Sequence, residues 1–261
     1  MRLGFSTLAF YKKSFKECVD AINVHEDIRH WEILDDSRLR IDEERARILK
    51  ELSASNDVEY SVHAPFSDIN IATVDSQLKR TFLKILRLSL ETAHKIGAKM
   101  WILHPGRLSP YTCFFPDEAW EANLAFIGGL VDHAEELGVR IAVENLEPQY
   151  SLLARTRDIE KFFNEFETDK LGFCLDVGHA NLAGEDPIDR YVSDFGDVLT
   201  HIHVHDNDGK LDSHDVVGKG SIDWPPIFSR LREIKYRGLV VIEAFSLEDA
   251  LSSYANVMSY L

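Results

Sequence analysis

The stretch LGFCLDVGHANLAG, residues 171–184, carries an apolar run into an acid, Asp176, with a histidine, His179, three residues on. Other apolar runs end in the same way. SVHAP closes on His63, ILHPG on His104, AVENLE on Glu144 and VVIEAF on Glu243. HIHVHD carries His203, with Asp212 and His214 in the polar stretch after it. Imidazole nitrogens and carboxylate oxygens are the ligands of zinc, manganese and iron sites that use no thiolate. One histidine in such a place is most often an ordinary hydrogen-bonded residue, and one buried acid a helix cap or half of an ion pair. That explanation would have to hold separately at six chain positions.

Side chains so far apart share a site only if regular elements bring them together. Short β-rich runs alternate with longer helical patterns. Strands are predicted over 2–6, 30–34, 59–64, 99–104, 140–145, 171–176, 199–206 and 239–245. The strongest helical patterns cover 41–55, 75–97 and 115–138, and a last helix over 246–261 closes the chain. In the second of these Leu78, Phe82, Ile85, Leu86 and Leu90 recur at helical spacing. Gly97 and Gly138 stand where a helix would end before a strand. Eight strands alternating with eight helices, with no linker between them, predict an α/β chain forming a single (β/α)8 TIM barrel over 1–261. An open doubly wound sheet would need a glycine-rich phosphate loop after an early strand, and STLAFYKK is not one.

In such a barrel chemistry gathers at the C-terminal strand ends, and every strand from the third to the eighth ends in one of these residues. No lysine or arginine stands at those ends. Converging carboxylates repel one another, and divalent cations remove the problem. His201, His203 and His205 alternate and so share one strand face. His201 is expected deeper and His205 further out, as an alternative ligand. His25, His94, His133 and His30 lie in helices or at a strand start and read as ordinary. Trp31, Trp101, Trp120 and Trp224 read as core or pocket wall, and the adjacent Lys12 and Lys13 as solvated surface or a phosphate contact.

The composition, with 45% hydrophobic and 28% charged residues among 261, suits a large core under a solvated surface. A formal net charge of -15 repels phosphate backbones unless a basic patch or bound cations reverse the field, and no long basic run is present. Three dispersed cysteines without a CxxC pair read as reduced thiols. With no signal-peptide layout and no membrane-length apolar run, a cytoplasmic protein without membrane contact is expected.

Taken in order, SVHAPF, LHPG, AVEN, GFCLDVGHANL, HVHDND with SHDVVGKGSID, and VVIEAF resemble the xylose isomerase-like TIM-barrel superfamily over nearly the whole chain. That superfamily includes sugar-phosphate isomerases and epimerases as well as the endonuclease IV type of DNA-repair enzyme. The resemblance to the first branch implies one divalent metal held by Glu144, Asp176, His203 and Glu243. The resemblance to the second implies three zinc ions. One would sit on His63, His104 and Glu144, one on the isomerase set, and one on His179, Asp212 and His214. Between the branches the expectation is one to three ions of zinc or manganese. VVGKGSID departs from the pattern, with Lys219 where relatives often carry glutamate.

Two reactions follow from these implied sites. In the first, a metal polarises a carbonyl of a small carbohydrate or sugar phosphate and acidifies the neighbouring C–H, while Glu144 and Glu243 take and return the proton. Glu147, His205 and Lys219 would contact the substrate. In the second, a hydroxide bridging the ions attacks a phosphodiester. A non-catalytic sugar- or metal-binding module is a third class. The charge and the scarcity of arginine in STLAFYKKSF and HAPFSDINIAT favour the carbohydrate over nucleic acid.

Overall fold

The computed structural model describes residues 1–166, 170–184 and 188–261. Eight parallel strands close into a barrel in chain order. They are β1 (Arg2–Ser6), β2 (His30–Leu34), β3 (Glu59–His63), β4 (Met100–Leu103), β5 (Arg140–Glu144), β6 (Leu171–Asp176), β7 (Leu199–Val204) and β8 (Leu239–Ile242). β2, β6 and β8 are buried along their whole length, as parallel strands covered by helices on one face and by barrel contents on the other must be. β1 pairs with β8 to shut the ring, Arg2 opposite Leu239 and Phe5 opposite Ile242.

The helices are α1 (Phe15–Val24), α2 (Glu43–Asn56), α3 (Ser76–Lys95), α4 (Pro116–Leu137), α5 (Thr156–Glu165), α6 (Val177–Ala183), α7 (Ile188–Phe195), α8 (Trp224–Glu233) and α9 (Leu247–Met258). The three strongest sequence patterns are α2, α3 and α4, and the closing helix is α9. On α3, Leu86 and Leu90 are fully buried while Leu78 in the first turn is exposed, so the apolar stripe starts later than its spacing suggests. α4 ends on Gly138 at φ 66°, a left-handed position that favours glycine. The described residues hold nine helices rather than eight, because two short ones, α6 and α7, join β6 to β7. Asp176 causes this. Its side chain accepts a hydrogen bond from the His179 backbone N–H at 2.6 Å and starts α6 directly at the strand end.

β4 and β8 are shorter than expected, so His104 and Glu243 stand just past the ladder, although the Glu243 N–H still donates to the Val204 carbonyl at 3.1 Å. The four tryptophans are core residues. The barrel interior is only partly apolar. Ile102, Ala142 and Cys174, with Met100, form a small cluster apart from the main core. Glu32, Ser61, His201 and His203 are fully buried as well. No helix among the described residues is long and apolar enough to cross a membrane.

Candidate metal centre

The C-terminal mouth of the barrel brings together all nine residues expected as ligands. Asp176 stands opposite His203 in the β6–β7 register. His203 Nδ1 lies 3.3 Å from Glu144 Oε1, 3.6 Å from Glu243 Oε1 and 3.9 Å from Asp176 Oδ2. Three carboxylates from β5, β6 and the end of β8 thus face one imidazole nitrogen. On one flank, His63 Nε2 and His104 Nε2 each lie 3.3 Å from Glu144 Oε2. On the other, His179 Nε2 and His214 Nε2 each lie 3.3 Å from Asp212 Oδ2. His205 completes this second flank, with Nε2 3.2 Å from Asp176 Oδ1 and its ring stacked on His214 at 3.8 Å.

Local structure aims these rings. The His63 Nδ1–H meets the Ala64 carbonyl at 2.9 Å and the His179 Nδ1–H meets the Asn145 carbonyl at 3.0 Å. A proton held at Nδ1 leaves the Nε2 lone pair free, which is how metal-binding imidazoles are commonly oriented. Asn145 also spans β5 and β6. Its side chain donates to the Asp176 carbonyl at 2.9 Å and accepts from the Asp176 N–H at 2.8 Å. The Asp212–His214 segment hangs from Asp206, whose buried carboxylate accepts from the Gly218 N–H and from Trp224 Nε1, both at 2.8 Å. His214 itself sits at φ 49°, a conformation a non-glycine residue holds only when its surroundings impose it.

Burial works against every charge here, so each shift shows which partner overcomes it. His203 and His104 hold the Glu144 carboxyl well below the usual carboxylate range despite its burial. His179 and His205 lower Asp176 in the same way, and His179 and His214 lower Asp212. Burial would lower the pKa of His63, but Glu144 pushes it up to about 9. His179 and His203 rise well above the ordinary histidine value against the same burial, His179 through Asp176 and Asp212 and His203 through Cys174 and then Glu243, Glu32 and Glu144. His104 goes the other way, because burial outweighs its contact with Glu144. Protons on imidazoles therefore balance the acids, at the place where a divalent ion would do so.

The donor set fits such an ion. Glu144 Oε2, Asp176 Oδ2, His214 Nδ1 and both nitrogens of His205 are buried without a well-formed hydrogen bond among the described residues, although oppositely charged partners stand nearby. Ligand atoms of His63, His104 and Glu144, of Asp176, His179 and His205, and of His205, Asp212 and His214 lie within 4.8 Å of one another in each trio. Buried polar atoms close together but not bonded to each other suit ligands converging on a shared cation.

Above this floor lies a cavity of about 230 Å³. Tyr11, Phe66, Phe245 and Leu8 form apolar walls, and Arg107 and Glu147 line the rim. Glu147 stands where a substrate contact was expected, but its carboxylate pairs with Arg107 at 2.9 Å. Arg107 adds an arginine to the rim from a loop outside the two stretches noted for their scarcity of arginine. It comes from the loop after β4, three residues past His104, and pairs with Glu147 rather than with the central acids. His205 lies behind the cavity, not in its wall. Lys219 is exposed and outside the lining, because the hydrogen bonds to Asp206 fold VVGKGSID against the barrel and turn that side chain to solvent. Glu32, Arg107, Asn145 and the aromatic walls were not singled out in the sequence.

The model of the xylose isomerase-like TIM-barrel family matches residues 19–260, and the chain belongs to that family. An uncharacterised protein of Methanocaldococcus jannaschii is 31% identical over 252 residues, 95% of each chain. Fructoselysine 3-epimerase of Shigella flexneri is 25% identical over 191 residues, covering 72% of this chain and 65% of that enzyme. The crystal structure of a D-tagatose 3-epimerase-like protein superposes with a TM-score of 0.93 at 27% identity, over 100% of this chain and 97% of the other.

Proposed function

We propose that the protein is a divalent-metal-dependent epimerase or isomerase of a small carbohydrate or its phosphate. The observation that carries this reading is the approach of three carboxylates to one imidazole nitrogen beneath a small cavity. The only lysine or arginine among the described lining residues, Arg107, is already paired. Glu144, Asp176, His203 and Glu243 would hold the ion. When bound there it would supply Lewis-acid polarisation of a substrate carbonyl, which acidifies the adjacent C–H. Glu144 on β5 and Glu243 beyond β8 flank the β6–β7 pair, so one carboxylate can take the proton and the other return it from the opposite side. Glu147 and Arg107 line the same cavity and would meet the hydroxyls or phosphate of a sugar bound there, while the aromatic walls would cover its carbon faces. The names of the epimerase relatives support a sugar as substrate.

The outer clusters favour a second reading, a multinuclear phosphodiesterase, since His63 and His104 point at Glu144 and His179 and His214 at Asp212. Two assays separate the two. With metal-reconstituted protein in D₂O, ketoses or their phosphates should take up deuterium at the carbon beside the carbonyl, and only when metal is present. A duplex with an abasic site should stay uncut at enzyme levels above stoichiometric. Efficient cleavage, lost in His104→Ala and His214→Ala, would replace the first reading by the second.

A further inference from the structure

A carboxylate stands behind His203 that neither reaction uses. Glu32, in the middle of β2, is fully buried inside the barrel. Its Oε1 lies 2.9 Å from His203 Nε2 and its Oε2 lies 2.8 Å from His201 Nε2. Ser61 Oγ donates to the same Oε2 at 2.8 Å and itself meets His30 Nε2 at 3.1 Å. The two imidazole contacts are close but bent away from hydrogen-bond alignment, so they act as charge contacts, and Ser61 supplies the aligned bond. Elsewhere a small apolar cluster of Ile102, Ala142 and Cys174 stands apart from the main core. An apolar side chain would fill the space of Glu32 without the desolvation that a buried carboxylate suffers.

The two nitrogens of His203 have different surroundings. Nδ1 faces Glu144, Asp176 and Glu243, and Nε2 faces Glu32 alone among the described acids. A carboxylate behind a ligating imidazole keeps the proton on the rear nitrogen, leaves the front lone pair for the metal and restricts rotation of the ring. We propose that Glu32 is a positioning residue that fixes His203 with Nε2 protonated and Nδ1 presented to the divalent ion, with Ser61 and His201 holding Glu32 in place. This rests on the metal reading above. The competing arrangement makes Glu32 a ligand, since Glu32, His203 and Glu243 also place ligand atoms within 4.8 Å of one another.

The test compares wild-type protein with Glu32→Gln and Ser61→Ala for zinc stoichiometry and for zinc affinity by chelator competition. ¹⁵N-histidine NMR of the zinc-loaded wild type adds a readout that needs no variant. The expected results are an unchanged number of ions at saturation and roughly 10–100-fold weaker binding in Glu32→Gln. A smaller loss is expected in Ser61→Ala, and a His203 ring with Nδ1 bound and Nε2 protonated. Affinity of folded Glu32→Gln within threefold of wild type would overturn the inference while leaving the metal reading intact. So would loss of one whole ion, which would make Glu32 a ligand. Should Glu32→Gln fail to fold, zinc on Nε2 of His203 in the wild type would overturn it, and zinc on Nδ1 opposite a protonated Nε2 would support it. A wild type that binds no divalent ion overturns both.

Discussion

Asp176 uses its two oxygens differently. Oδ1 caps α6 at the His179 N–H, while Oδ2 makes no hydrogen bond among the described residues and faces His203. Replacement by alanine removes both functions, whereas asparagine keeps an oxygen for the cap and loses the charge. Both variants should bind one ion fewer by elemental analysis and lose activity. In denaturant titrations of the metal-free proteins Asp176→Ala should be less stable than Asp176→Asn by about 1 kcal/mol, the usual size of a cap. His63 provides a pH test. Its folded pKa of about 9 exceeds the ordinary 6.5, so its contribution to stability is complete below pH 6.5 and is lost as pH rises through about 9. The metal-free protein should therefore soften over that window. Metal affinity should climb over the same window, because the ion displaces the proton. Melting curves and chelator competition at pH 6, 7, 8 and 9 check the opposed trends. Six of the nine candidate ligands were legible because each stands at the end of an apolar run and breaks its character, whereas His179, Asp212 and His214 lie beyond such ends and stood out by the order of the motifs. Glu32 was not, because in a strand buried along its whole length no alternation marks which residues face the barrel axis. Tyr11, Phe66 and Phe245 lie on loops and meet over the site only through the fold.

Among the elements, α6 constrains the site most tightly. A Cβ at Gly178 would lie 1.9 Å from His205 Cε1, so the helix can pass this close only with glycine there. Gly178→Ala should push the His205 ring off His214 and away from Asp176 and lower stability by about 1–3 kcal/mol, the usual range for overpacking. It should also weaken metal binding at the Asp212 flank. Thermal melts with and without metal measure both effects, and a wild-type melt in both states would refute the steric account. The strand starts were readable almost to the residue, because parallel strands under helices are continuous apolar runs, but β4, β7 and β8 stop short of their expected ends. α6 and α7 were not readable, since each spans only about two turns. What starts α6 is Asp176, which the sequence presented as a ligand and the fold uses as a cap as well.

For the whole molecule, the net charge of -15 and the walled cavity point one way. Fluorescence titration should show no binding of duplex DNA even at low salt, where electrostatic attraction is strongest, and tight low-salt binding would undo the substrate choice. The β1–β8 pairing carries a different consequence. A closed barrel offers no free strand edge, but that protection lasts only while this seam is shut. Opening it would bare RLGFS on one side and LVVI on the other, two short templates for pairing with a second molecule. Glu243 directly follows β8, so an ion shared with Glu144, Asp176 and His203 would tether that strand to its neighbours. Stripping the metal should then shorten the lag before light scattering rises in gently heated, concentrated protein. On this view the same ion that activates a substrate also protects the chain from self-association.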